Sequence, residues 1–113
     1  QEHVKNEIKQ YVDNFESVAV WGAGHQALAV IALADLKDKI KYVVDDAPFK
    51  QGKYTPATHI PIVPAENIEV SPVEAVIVMA ASYSDEVAKK IRKNFDKSLK
   101  VSILRDTGLE KVF

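Results

Sequence analysis

The residues best placed to do chemistry form a turn with two glycines, Trp21-Gly22-Ala23-Gly24-His25-Gln26-Ala27. Its pattern, G-x-G-x-x-A between an apolar run and an apolar helix, is typical of turns that hold a phosphate. Gly22 permits the tight turn, Gly24 lets the backbone approach a phosphate, and Ala27 lets the helix pack closely on the strand. The helix N-terminus offers unpaired N–H groups and a positive dipole end, so the turn is a candidate anion site.

Three side chains near this turn are candidate ligand contacts. Asp45 follows the next apolar run, roughly 20 residues downstream, where dinucleotide-binding folds place an acid that bonds a ribose. His25 stands at the helix start, and Tyr83 follows a later apolar run and is placed to stack on a base. The alternative is that the glycines only shape the turn, Asp45 caps a strand end, and His25 and Tyr83 are ordinary surface residues.

A long irregular segment, DDAPFKQGKYTPATHIP at residues 45–61, has neither helical nor strand periodicity. Loops of this length are uncommon and tend to be functional or disordered. Lysines can meet phosphate, and Thr, Tyr and His can bond sugar hydroxyls, while the prolines reduce the freedom of the loop. We therefore predict a functional role for the segment; the alternative is a solvated surface loop. Its candidate ligand residues are Lys50, Lys53, Tyr54, Thr58 and His59.

The positions of the apolar residues predict the elements that hold these residues. The predicted strands are residues 17–21, 40–44, 60–63, 75–79 and 100–104, and the predicted helices are residues 4–14, residues 27–34 and a segment capped by Ser82 or Ser84. Continuous Val/Ile runs that alternate with helices favour a parallel sheet covered on both faces. We predict an α/β, Rossmann-like, three-layer domain over residues 1–113, with about five mostly parallel strands in the order 3-2-1-4-5. NAD is a disfavoured ligand, because this is half of a full dinucleotide fold and no hydride-transfer site is evident.

Composition narrows the function classes. The 113 residues carry a formal net charge of −1, which gives no general attraction to nucleic acid or to membrane surfaces. The absence of cysteine excludes disulfides and thiolate zinc sites, and it fits a cytoplasmic protein. No apolar run is long enough to span a bilayer. Because the first residue is Gln1 rather than Met, we expect a piece of a longer protein.

Two segments resemble a known family. V-W-G-A-G at residues 20–24 and V-V-D-D-A-P-F-K-Q-G-K-Y-T-P-A-T-H-I-P-I at residues 43–62 resemble the C-terminal domain of sugar C-methyltransferases. In that family the loop runs close to D-x-x-P-x-K-Q-G-K-x-x-P-G-T-H-I-P-I. The resemblance spans most of the chain and is densest in this loop. Ala57 departs from the usual glycine, which puts only the backbone of that turn in doubt.

The resemblance implies a role in a larger enzyme. Such enzymes have an N-terminal zinc-binding region and a central S-adenosylmethionine domain, and they methylate a carbon of a deoxyketo sugar attached to a nucleoside diphosphate. The resemblance therefore implies that this chain binds the nucleoside-diphosphate sugar and contacts the other domains, with no catalytic residue, metal or cofactor of its own. It also implies that the long segment at residues 45–61 forms one wall of the substrate cleft. Two alternatives stay open. One is a sugar-nucleotide-binding module of an acyltransferase-type protein, which the loop fits poorly, and the other is a purely structural domain.

Overall fold

A six-stranded sheet lies between two layers of helices in a computed structural model that describes residues 2–113. The helices are α1 (Glu2–Asp13), α2 (His25–Leu33), α3 (Asn67–Val70) and α4 (Ser84–Asn94). The strands are β1 (Val18–Trp21), β2 (Ile40–Val44), β3 (Ile62–Val63), β4 (Ala75–Val78), β5 (Lys100–Arg105) and β6 (Gly108–Lys111). A short 3-10 turn, Ala81–Tyr83, joins β4 to α4.

The strand order is β3-β2-β1-β4-β5-β6, with β1 to β5 parallel and β6 antiparallel to β5. This confirms the predicted Rossmann-like class and the order 3-2-1-4-5 of the first five strands. The sixth strand is an addition that the apolar pattern did not predict. It follows β5 after a two-residue turn, since Arg105 pairs with Gly108.

The two faces of the sheet have separate cores. On one face, α1 and α2 bury Ile8 and Ile31 against Val20 and Ile77. On the other face, α3 and α4 bury side chains that include Ile91. The continuous apolar runs of the sequence arise here, because each central strand is covered on both sides.

Trp21, the last residue of β1, packs in the second core against the residue that follows α4. Trp21 is buried and packs edge-to-face on Phe95, with ring centroids 6.5 Å apart.

The predicted cap of α4 is wrong. The helix begins at Ser84 without a side-chain cap, and the Ser84 hydroxyl accepts the N–H of Ala80 at 3.0 Å. That hydrogen bond spans the 3-10 turn between β4 and α4 and holds its two ends together.

Helix α1 begins near the carboxyl ends of the parallel strands. Its Glu7 carboxylate accepts the N–H of Leu109 at 3.1 Å, and Leu109 pairs with Leu104 near the end of β5. The bond also covers an outward-facing amide of the edge strand β6. The first residues of α1 and the glycine turn therefore lie at the same end of the sheet, because the turn follows the carboxyl end of β1.

The second half of the long segment covers the other edge of the sheet. Gly52 donates its N–H to the carbonyl of Ile62 at 2.9 Å, and Ile62 donates to the carbonyl of Lys53 at 2.8 Å. Tyr54 and Pro61 form an antiparallel bridge beyond them. Residues 52–62 thus fold back as a hairpin along β3, which protects a two-residue edge strand from pairing with other chains.

None of the helices within residues 2–113 is long and apolar enough to cross a membrane.

Candidate functional site

A cleft of about 530 Å³ lies at the carboxyl ends of β1, β2 and β4. Its walls are the glycine turn, the start of α2, the residues after β2, and the 3-10 turn before α4. Open α/β sheets bind their ligands at this kind of place, outside the carboxyl ends of strands where the strand order reverses. A larger cavity of about 800 Å³ lies at the amino ends of the strands, near Val73 and Leu99. We place the candidate site at the glycine turn, because α2 begins there without a side-chain cap and leaves its first backbone N–H groups free for a ligand.

The two glycines of the turn have different reasons to be glycine. Gly22 has a φ of +128°, and a β-carbon there would overlap the carbonyl oxygen of Met79, so both its conformation and its packing require glycine. Gly24 has an ordinary φ of −78°, and a β-carbon there would meet no atom within 4 Å. Neither strain nor packing explains Gly24, whereas close approach of a ligand to the backbone would.

Helix α2 begins at this turn and points its first amides at the cleft. Gly24 is the N-cap without a side-chain hydrogen bond, and the N–H of Leu28 bonds the carbonyl of Gly24 at 3.0 Å. The first N–H groups of the helix therefore have no acceptor within the helix. Ala27 is buried and lets this end of the helix pack closely on the sheet. The arrangement offers hydrogen-bond donors and a positive dipole end to an anion.

Asp45 joins the glycine turn to the start of the long segment. Its Oδ2 accepts the N–H of Ala23 at 2.8 Å, and its Oδ1 accepts the N–H of Ala47 at 2.9 Å. The side chain is only 16% exposed. Both carboxylate oxygens already have a protein partner, so Asp45 has a structural role whatever its part in ligand binding.

Lys50 approaches the same turn from the other side. Its Nζ donates to the carbonyl of Ala23 at 3.1 Å and lies 3.9 Å from Oδ2 of Asp45. Gln51 adds a hydrogen bond from its Nε2 to the main-chain carbonyl of Asp45 at 2.9 Å. The N–H and the carbonyl of Ala23 are thus both held by side chains, one from the end of β2 and one from the long segment.

The structure separates the sequence-predicted site residues into two groups. The residues that line the cleft are Gly22, Gly24, His25, Asp45, Lys50 and Tyr83. Of these, Tyr83 is 66% exposed on the 3-10 turn. The remaining candidates lie on the hairpin beside β3 and do not line the cleft: Lys53, Tyr54, Thr58 and His59.

The hairpin is held by a buried threonine that the sequence did not single out. The Thr55 hydroxyl accepts the N–H of Ile60 at 2.8 Å and bonds the hydroxyl of Thr58 at 2.5 Å. Ala57 and His59 both adopt left-handed φ angles, +64° and +54°. The rings of Tyr54 and His59 stack with centroids 4.3 Å apart and planes 6° apart. The similar loop of sugar C-methyltransferases usually has a glycine at the position of Ala57. The left-handed φ of Ala57 explains this, because glycine adopts such an angle without a steric cost.

Other cleft residues were missing from the sequence-based candidates. Asp46, Gln26 and Ala81 line the cleft beside the predicted ones. Asp46 directly follows Asp45, and Ala81 follows a predicted strand, so their places at strand ends were the available signal. Lys90 on α4 lies 3.7 Å from Asp46 and faces the Trp21 ring at 5.9 Å. Within residues 2–113, no group of three His, Asp or Glu side chains is arranged to hold a metal ion.

Comparisons with known proteins place this geometry in context. A family model described as the C-methyltransferase C-terminal domain matches residues 1–103. The crystal structure of UDP-D-quinovosamine 4-dehydrogenase from Vibrio fischeri is similar over 86% of this chain and 93% of that chain, with a TM-score of 0.64 and 16% identity. RSP, a Rex-family repressor, is similar over 99% of this chain and 56% of its own, with a TM-score of 0.59 and 15% identity. At these identities both structures show the fold alone. No curated protein sequence matches the chain.

Proposed function

The chain belongs to the family of C-methyltransferase C-terminal domains, and from that premise we propose that it binds the nucleoside-diphosphate sugar on which a longer methyltransferase acts. In this proposal the diphosphate lies against the start of α2, and the nucleoside or sugar extends toward Tyr83 and His25. The chain is not catalytic alone. The methyl donor, S-adenosylmethionine, and a zinc ion belong to other parts of a cytoplasmic enzyme that makes deoxysugars.

The observation that carries the proposal is the open approach to Gly24. The position needs glycine neither for its φ angle nor for packing, yet it stands at a helix start that borders a cleft. A phosphate fits such a place because the backbone can come close to it and donate several N–H groups. The similar dehydrogenase is named for a UDP-sugar, UDP-D-quinovosamine, which agrees with this class of ligand without assigning it to this chain.

The position of α1 supports a cleft completed by a neighbouring domain. Members of the family are C-terminal domains, so in the proposed parent enzyme the preceding polypeptide joins this chain at the start of α1. That start lies at the same edge of the sheet as the glycine turn, as the bond between Glu7 and Leu109 shows. A preceding domain would then emerge at the carboxyl end of the parallel strands, the end of the sheet that also holds the cleft. Such domain boundaries are common ligand sites.

A purely structural domain is the second candidate, and Asp45 is the observation that favours it. In dinucleotide folds the acid at this place bonds a ribose, but both oxygens of this carboxylate already accept backbone N–H groups. If the cleft holds no ligand, the same bonds would serve only to brace the turn.

Calorimetric titration of the folded chain separates the two candidates. We expect UDP to bind, UMP to bind more weakly, and uridine not to bind at all, because the proposed site recognises the diphosphate through backbone N–H groups. ADP and GDP in parallel titrations would report whether the base matters. A folded chain that gives no heat of binding with any of the three diphosphates would favour the structural domain.

A further inference from the structure

We infer that Lys50 is a positioning residue: it fixes the peptide of Ala23, and through it the N–H groups at the start of α2, and it is not the direct partner of a phosphate. The inference rests on the proposed function only for its effect on ligands. Its structural part concerns the chain without ligand, where the distances are already in place.

The first argument is the double restraint on Ala23. The N–H of Ala23 donates to Asp45, and its carbonyl accepts from Lys50. A residue between two glycines has little else to hold its peptide planes, because glycine permits many backbone conformations. The carbonyl of Ala23 belongs to the same peptide unit as the N–H of Gly24. Fixing that carbonyl therefore also fixes the direction of the Gly24 N–H, next to the start of α2.

The second argument is the cost of moving Lys50 toward a ligand. Its ammonium lies 3.9 Å from Asp45, whose side chain is 16% exposed, while the Lys50 side chain is itself 32% exposed. If Lys50 turned to a phosphate, the Ala23 carbonyl would lose its donor, and the mostly buried carboxylate of Asp45 would lose its counter-charge. Removing one partner of such a pair costs more than the net value of the pair.

The third argument is the anchoring of Lys50 itself. The N–H of Lys50 donates to the carbonyl of Ala47 at 3.0 Å, and the next residue, Gln51, bonds the carbonyl of Asp45. This part of the long segment is therefore folded onto the end of β2 by its own hydrogen bonds. It presents Lys50 to the turn at a fixed distance, as a brace requires.

The deciding experiment measures hydrogen exchange of the Ala23 amide, which donates to Asp45, in the ligand-free chain. We expect Lys50→Met to speed exchange at this amide roughly tenfold or more, the factor that corresponds to a charged hydrogen bond. Lys50→Arg should restore slow exchange in part, because a guanidinium can also donate to the carbonyl. Lys53→Met is the matched control and should leave exchange of the Ala23 amide unchanged, because Lys53 lies on the hairpin. Unchanged exchange in a folded Lys50→Met chain would overturn the inference.

A titration with UDP supplies the readout that distinguishes positioning from direct contact. We expect Lys50→Met to weaken UDP binding about tenfold or more, while the dependence of the affinity on salt stays that of the wild type. A salt dependence that falls in the variant would make Lys50 a direct phosphate partner. If the wild type does not bind UDP, the proposed function fails, yet the exchange measurement still decides whether the brace exists. Should Lys50→Met fail to fold, Lys50→Ala carries the same exchange test, since it also removes the donor to the Ala23 carbonyl.

Discussion

The backbone of Gly22 lies against the main-chain carbonyl of Met79, so closely that a β-carbon at residue 22 would overlap that oxygen. The contact joins the ends of the two central strands, β1 and β4, where the N–H of Met79 also donates to the carbonyl of Trp21 at 2.8 Å. The floor of the cleft is therefore two backbones in direct contact. No side chain separates the glycine turn from the end of β4.

Gly22→Ala should destabilise the fold strongly. The φ of +128° is unfavourable for any residue with a β-carbon, and the overlap with Met79 must push two strands apart. We expect the free energy of unfolding to fall by about 2–4 kcal/mol, since backbone strain and overpacking add. Urea denaturation checks this. Wild-type stability in the variant would contradict the close contact with Met79.

Gly24→Val, in contrast, should keep the fold and lose the ligand. The position has an ordinary φ and open space, so the cost to stability is that of a poorer N-cap, about 1 kcal/mol or less. Two methyl groups would stand where the diphosphate is proposed to approach, and UDP titration should show no binding. The control is Ala29→Val on the exposed side of α2, which adds a β-branched residue outside the cleft. If the Gly24→Val chain bound UDP as tightly as the wild type, the diphosphate would not bind at Gly24.

These two glycines show why the sequence predicted the turn but could not assign each role. The spacing G-x-G-x-x-A and the flanking apolar runs reflect local backbone requirements, so strand, turn and helix followed from the pattern alone. Which glycine is needed for packing depends on Met79, more than 50 residues away along the chain, and no local pattern contains that contact. The same limit applies to Asp45 and Lys50. Their types predicted charge at the cleft, but not that each would bond Ala23.

Elements that depend on tertiary contacts were also absent from the sequence-based prediction. Strand β6 contains one apolar residue that packs on the core, Leu109, and its edge is held by Glu7 from α1. The four-residue helix α3 is too short to show a period. The hairpin of residues 52–62 runs through Gly52 and two prolines, so its strand pairing is irregular and leaves no alternating pattern.

Ala57→Gly should stabilise the chain. Ala57 has a left-handed φ of +64°, which glycine adopts without the steric cost of a β-carbon. Part of this gain is offset by the greater freedom of glycine in the unfolded chain, so we expect the free energy of unfolding to rise by about 0.5–1 kcal/mol. Ala29→Gly, in the helical interior of α2, is the matched control and should destabilise by about 1 kcal/mol. A loss of stability in both variants would mean that the turn is not strained.

The ion pair between Arg105 and Asp85 predicts a pH-dependent contribution to stability. The guanidinium bonds both carboxylate oxygens, at 2.8 and 3.3 Å, and also bonds Glu110 at 2.9 Å. The hydrogen bonds from Arg105 lower the pKa of Asp85 below its ordinary value of 3.8. Because the folded-state pKa is the lower one, this stabilisation is present above the unfolded-state pKa and is lost as the pH falls through the folded-state pKa.

We therefore expect Asp85→Asn to lower the melting temperature at neutral pH and to have a smaller effect in acid, below the ordinary pKa of 3.8, because a growing share of Asp85 is protonated in both states there. The control is Asp38→Asn, which alters an exposed carboxylate at the opposite end of the sheet, before β2. A difference between Asp85→Asn and the wild type that is equally large at both pH values would show that the effect is not electrostatic.

His59 provides the test of whether the hairpin holds itself or holds a ligand. Its ring stacks on Tyr54 outside the cleft, and its main-chain N–H, which an alanine would keep, donates to the carbonyl of Thr55 at 2.9 Å. We expect His59→Ala to lower the free energy of unfolding by about 0.5–1.5 kcal/mol, the value of an aromatic pair, and to leave UDP affinity unchanged. Tyr54→Ala should cost a similar amount, and the double variant should cost less than the sum, because each single change already breaks the stack. An unchanged denaturation curve together with weaker UDP binding would instead make the hairpin a wall of the ligand cleft, because His59 would then act on the ligand and not on its own fold.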